Sequence, residues 1–243
     1  MFYRKMLFFV ALAVLLATTA ATFATPSENP ISDKKNARNL TALNIAILIQ
    51  DDLISQVGNE LDITRDFIRS LPAGSRVMTG YITSGTLQVR QPFTADLDRA
   101  ARSLRIPLAS QSASPFNPYV EVSEALRRFD ASWKGTNAVL LISDGLDTSR
   151  GFDSGAAGNT LDLHRAIKHA NDRNVAVYSF YAPSVGLTSR SRLAASYGQS
   201  SLNRLASETG GKAFFQGTTG FVSFDSHFRR LREALNAQYA MAS

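Results

Sequence analysis

Residues 44–50, NIAILIQ, and residues 137–143, NAVLLIS, decide how this chain folds. Each is an unbroken apolar run. A strand with one face in water alternates apolar and polar residues, so a continuous run describes a strand covered on both faces, as in a parallel sheet between helices. Residues 175–181, VAVYSFY, form a third such run.

Between and beyond these strands the apolar spacing becomes helical. Val57–Leu71 predicts a helix stopped by Leu71-Pro72-Ala73-Gly74, because proline disfavours helix in the residue before it. Asp96–Leu104, Pro118–Phe129, Leu161–Asp172 and Phe224–Tyr239 read the same way. Ser201–Glu208 is a further helix, ended by Thr209-Gly210-Gly211 as a C-cap. Arg76–Thr83 and Thr86–Gln91 flank Ser84-Gly85 and predict a hairpin. Lys212–Gln216 is a short strand, and the glycine-rich stretch Gly151–Asn159 is a loop. Alternating strands and helices with right-handed crossovers give an α/β fold. It is a doubly wound, mostly parallel sheet with helices on both faces and one antiparallel edge strand.

The N-terminus has a different character. Arg4 and Lys5 precede the apolar run Met6–Ala17, and Thr22-Phe23-Ala24 offers a small-x-small cleavage site. This is the secretory pattern, and the run is short of the roughly 20 residues a spanning helix needs. Residues 1–24 are therefore read as a signal peptide, 25–40 as a polar tether holding Pro26 and Pro30, and 41–243 as one domain. An uncleaved signal is the only expected route to a membrane, and the location is extracytoplasmic, secreted or periplasmic.

Composition excludes several functions. With no cysteine in 243 residues, there is no disulfide, thiolate metal site or cysteine nucleophile. Signal removal takes the net charge from +6 to +4. The basic clusters Arg127-Arg128 and Arg229-Arg230-Arg232 lie on predicted helices without a stacking platform, so no nucleic-acid partner is expected. No Gly-x-Ser-x-Gly elbow or phosphate-binding glycine loop occurs. His164, His169 and His227 are expected on the surface, and no catalytic or organic-cofactor residues are assigned.

In doubly wound sheets, ligands sit at the carboxyl ends of the strands, where strand order switches. The first run ends in Asp51-Asp52-Leu53-Ile54-Ser55 and the second in Ser143-Asp144-Gly145-Leu146-Asp147. Asp51, Ser55 and Asp144 are expected to converge there as a hard-oxygen site suited to magnesium, manganese or calcium. The same aspartates serve equally as helix caps and turn formers.

These loops resemble the von Willebrand factor A (VWA) family. The resemblance implies a metal-ion-dependent adhesion site with the pattern Asp-x-Ser-x-Ser, a later threonine and a final aspartate. Asp51 matches the first aspartate, Ser55 the second serine and Asp144 the last aspartate. Asn117 falls near the threonine, and Leu53 departs from the first serine. Gln91–Asp96, Arg105–Leu108, Leu141–Gly145, Tyr197–Gln199, Leu205–Gly211 and Leu235–Tyr239 are similar to runs in secreted VWA-related proteins of Acidobacteria. The resemblance implies a protein-binding module, with Asp51, Ser55, Asn117 and Asp144 as the metal set. A metal-dependent hydrolase using Asp51 and Asp144, or a metal-free scaffold, are the alternatives.

Mass spectrometry of exported protein is expected to find a mature N-terminus between about Ala20 and Ser27 under the signal-peptide rule. An intact Met1 on secreted protein would refute the cleavage.

Overall fold

A computed structural model describes residues 42–108, 116–133, 135–152, 160–216 and 222–242. The signal segment, the tether and most of the glycine-rich stretch lie outside the described residues. The elements, in chain order, are β1 (Leu43–Gln50), α1 (Gln56–Asn59), α2 (Leu61–Arg69), β2 (Arg76–Thr83), β3 (Thr86–Thr94) and α3 (Leu97–Arg102). Then follow α4 (Pro118–Leu126), β4 (Thr136–Ser143), α5 (Leu161–Asp172), β5 (Val175–Tyr181), α6 (Arg192–Glu208), β6 (Ala213–Phe214) and α7 (Asp225–Ala242).

Six strands form one sheet in the order β3-β2-β1-β4-β5-β6. All neighbours are parallel except β2 and β3. Every residue of β1 and β5 is buried. The reason is visible in the period-two alternation of side chains. From β1, Ile45, Ile47 and Ile49 enter the core beneath α2 and α7, with Phe67, Ile68, Phe228 and Leu231. Ala46 and Leu48 point into the opposite core with Tyr119, Val122, Leu163 and Leu202 from α4, α5 and α6. From β4, Leu140 and Leu141 divide the same way. Both faces are apolar because both are covered.

The hairpin turns at Ser84 and Gly85, both with positive φ, a pair whose twist matches that of the flanking strands. Strand β3 continues to Thr94, with Pro92 tolerated because it lies on the sheet edge. Among the boundaries that differ from the sequence reading, three have a visible consequence. The Val57–Leu71 helix is divided at Glu60, whose carboxylate turns to accept the Phe224 N–H at 2.6 Å, just ahead of α7. Helix α6 starts at Arg192 rather than Ser201, capped by Ser191, which accepts from the Ala194 N–H. Strand β6 is confined to Ala213–Phe214.

His227 is not on the surface. Helix α7 lays it against Phe180, Phe214 and Phe224, with ring centroids 5.2, 5.9 and 6.4 Å away. Its Nδ1 has no hydrogen-bond partner among the described residues. Burial, helped by the positive charge of Arg230, pushes its pKa down to about 4. The unfolded chain takes up a proton here below about pH 6.5, and the folded protein does so only near pH 4. Stability is therefore complete above the higher value and falls as pH drops towards the lower one. His227→Phe is expected to abolish a loss on the order of 3 kcal/mol across that window. Urea unfolding of both proteins between the two pH values measures the difference; parallel pH profiles would refute it.

Candidate functional site

The chain leaves β1 towards the α2 face and leaves β4 towards the α5 face, although β1 and β4 are hydrogen-bonded neighbours. Their carboxyl ends are thus the switch in strand order where a crevice opens. Asp51 and Asp144 stand at these two ends, as the sequence implies. What surrounds each of them was not legible in advance.

Asp51 is buried and paired with Arg105, which reaches over from the segment after α3. The guanidinium holds both carboxylate oxygens, Nη1 to Oδ1 at 2.6 Å and Nη2 to Oδ2 at 2.7 Å. Oδ1 also accepts the Leu108 N–H at 2.9 Å, and Oδ2 accepts the Thr83 hydroxyl at 3.0 Å. Burial alone would raise the pKa of Asp51, but Arg105, the Leu108 amide and Thr83 together hold it below the ordinary carboxylate value.

Arg105 is itself fastened. Its guanidinium lies over the Tyr81 ring, 4.0 Å from the centroid. The Tyr81 hydroxyl donates to the Arg105 carbonyl and accepts the Arg105 N–H, at 2.6 and 2.7 Å. Arg65 donates to the preceding carbonyl, that of Leu104, at 2.9 Å.

Asp144 lies in a second network, centred on Gln50. The Gln50 amide donates to Asp52 at 2.7 Å and to Asp144 at 3.2 Å. Its carbonyl accepts the Ser143 hydroxyl and the Asp144 N–H. Asp144 accepts in addition from the Leu146 N–H and the Thr188 hydroxyl, each at 3.1 Å. Burial raises the pKa of Asp144. Burial and the neighbouring Asp144 push that of Asp52 up to about 7, against the hydrogen bond from Gln50.

The other candidates go elsewhere. Leu53 is fully buried in the core beneath α2 and forms a bridge with Ser184. Its neighbours are tied to the loop after β5, through Ile54 N–H to Pro183 and Val185 N–H to Asp52. Ser55 is exposed at the start of α1 and makes no side-chain cap bond. Asn117 caps α4, its carbonyl accepting from the Tyr119 and Val120 N–H groups. The Asn117 amide donates to Asp162 and Asp147, at 2.9 and 3.2 Å.

A divalent ion needs several oxygens with free lone pairs aimed at one point. Here both oxygens of Asp51 are engaged by a cation, Leu53 supplies none, and the oxygen of Asn117 serves its own helix. Among the described residues no group of three acidic or histidine side chains is arranged to hold a metal. The residues present do not fit an ion held by Asp51, Ser55, Asn117 and Asp144. The sequence reading assigned no site role to Gln50, Asp52, Arg105 or Thr188, although Gln50 closes an apolar run, Asp52 lies in the first loop and Arg105 begins one of the runs similar to VWA-related proteins.

The fold with this crevice is that of VWA domains. Solved structures similar to the chain include the conserved hypothetical protein BatB from Bacteroides thetaiotaomicron, at a TM-score of 0.57 and 14% identity, covering 82% of this chain and 100% of that one. A von Willebrand factor type A protein from Catenulispora acidiphila matches at 0.52 and 16%, over 81% of this chain and 42% of that one. The SpRpn10 VWA domain matches at 0.50 and 10%, over 82% and 95%. At these identities the likeness is one of fold. No family model matches the sequence, nor does any curated protein.

Gln50→Leu keeps the volume but removes the amide that Asp52 and Asp144 share. We expect a loss of about 2–4 kcal/mol, since the buried Asp144 and the half-buried Asp52 lose a shared donor and Ser143 loses its acceptor. Urea denaturation at neutral pH reads it. A loss under about 1 kcal/mol would show that these acids do not depend on Gln50.

Proposed function

We propose that this chain is an exported VWA-like domain that binds a protein partner on the face at the carboxyl edge of its sheet. One observation carries the reading. Among the described residues the large apolar side chains with substantial exposure are Ile106, Leu108, Val120, Leu161, Leu193 and Phe215. All six belong to one edge. Ile106 and Leu108 flank the Arg105–Asp51 pair, and the Leu108 amide bonds Asp51. Leu161 and Leu193 lie in the first turns of α5 and α6, which follow β4 and β5, and Phe215 follows β6. Val120 lies in the first turn of α4, whose start is joined to the loop after β4 by the bonds of Phe116 to Thr148 and of Asn117 to Asp147. Exposed apolar residues gathered on one side of a domain mark an interaction face.

The hydrolase reading has less support. Asp51 has no unengaged oxygen, and both oxygens of Asp144 accept hydrogen bonds, from Gln50 and the Leu146 N–H and from Thr188. Export rests on the signal-like residues 1–24, and kinship to the secreted Acidobacteria proteins rests on the sequence runs above. Among the described residues, no helix is long and apolar enough to cross a membrane.

A photo-crosslinking residue at position 108 or 193 should capture a protein from envelope extract, while one at Arg173, at the opposite end of α5, should not. Ile106→Asp with Leu108→Asp should weaken the captured interaction about tenfold or more, since two apolar side chains lose their burial. Equal capture from all positions, or unchanged affinity, would refute the assignment of this face.

A further inference from the structure

We infer that the Arg105 guanidinium replaces the divalent cation that a VWA-type site would place against Asp51, so that this edge of the domain is cation-complete without metal. The inference rests on the geometry around Asp51 and is independent of the docking reading.

Three features support it. First, the guanidinium engages Asp51 through two parallel hydrogen bonds, at 2.6 and 2.7 Å, which is the strongest geometry available to a side-chain cation and a carboxylate. An incoming ion would have to break both and shed its own water. Second, Arg105 is held in place before any ligand arrives. Tyr81 clamps its main chain from both sides and stacks beneath its guanidinium, and Arg65 fixes the carbonyl before it. A side chain so restrained loses little further freedom by staying in the pair. Third, the ligand that the metal pattern needs next has been turned into core. Leu53 is fully buried, and the main chain on either side of it is hydrogen-bonded to residues 183–185. A serine hydroxyl at that position would face apolar packing rather than an ion.

Both halves of the metal pattern therefore differ from it here. Leu53 is packing where the pattern has a ligand, and Arg105 supplies the positive charge. An arginine is always charged, so the site does not depend on the divalent ion content of the compartment.

Thermal unfolding of the purified protein in chelator, then in millimolar magnesium, manganese or calcium, tests this, alongside Arg105→Met, Arg105→Gln and Asp51→Asn/Arg105→Met. The unsubstituted protein is expected to shift by less than about 1 °C between conditions, as a domain does when no ligand binds its folded state. Both single variants should melt lower in every condition, because they leave the buried Asp51 carboxylate with no cation beside it. The double variant, with no carboxylate to neutralise, should regain most of that loss, again without dependence on metal. A metal-dependent rise in the unsubstituted protein overturns the inference. So does a double variant that melts no higher than Arg105→Met. Should both single variants fail to fold, a folded double variant supports the replacement, and an unfolded one overturns it.

Discussion

Gln50 closes a strand with helices on both faces and parallel neighbours on both edges, so its side chain meets no bulk water. A primary amide has two donors and a carbonyl with two lone pairs. Here all four are used, towards Asp52, Asp144, the Ser143 hydroxyl and the Asp144 N–H. A charged residue in that position would repel or neutralise one of the acids, and an apolar one would remove the donor they share, leaving Asp144 with only the Leu146 N–H and the Thr188 hydroxyl. The neutral amide fixes the ends of β1 and β4 relative to one another. That in turn fixes where Asp51, one residue further on, meets Arg105. The loop after β5 joins through Thr188, which donates to Asp144 and accepts the Ser184 N–H at 2.7 Å.

This explains which parts of the molecule could be read from sequence. Strands β1, β4 and β5 were legible to within a residue at each end, because burial on both faces leaves an uninterrupted apolar run and little else does. Helix α5 was legible because Leu163, Ala166, Ile167 and Ala170 bury one stripe. The first half of α6 was not. It packs through Ala194, Ala195 and Gly198, small residues that give no strong apolar period. The division at Glu60 was also silent, since it serves a bond to Phe224, which is 164 residues away in the chain.

The site divides along the same line. That Asp51 and Asp144 share an edge followed from strand order alone. Their partners did not follow, because a pair such as Arg105–Asp51 spans 54 residues and leaves no local trace. His227 shows the limit from another side. One histidine in a helix with three arginines reads as solvated, yet the aromatic residues of β5, β6 and the position just before α7 enclose it. The similar solved structures share the sheet at 10–16% identity. Such sharing fixes the scaffold and the location of the crevice, while the chemistry in the crevice is set by side chains that the fold does not dictate.

Helix α6 bears on the site in one more way. At Gly198 it approaches the loop after β4 so closely that a Cβ there would overlap the carbonyl oxygen of Asp144. A Cβ on Gly145 would likewise overlap the carbonyl of Gly198. Two backbones in direct contact, with no side chain between them, leave no compressible layer. Helix α6 is 17 residues long, about 25 Å at 1.5 Å per residue. It runs from the exposed Leu193 to Glu208 at the far edge of the sheet. Contact of backbone on backbone therefore ties the placement of α6, and of Leu193 in its first turn, to that of the Asp144 loop.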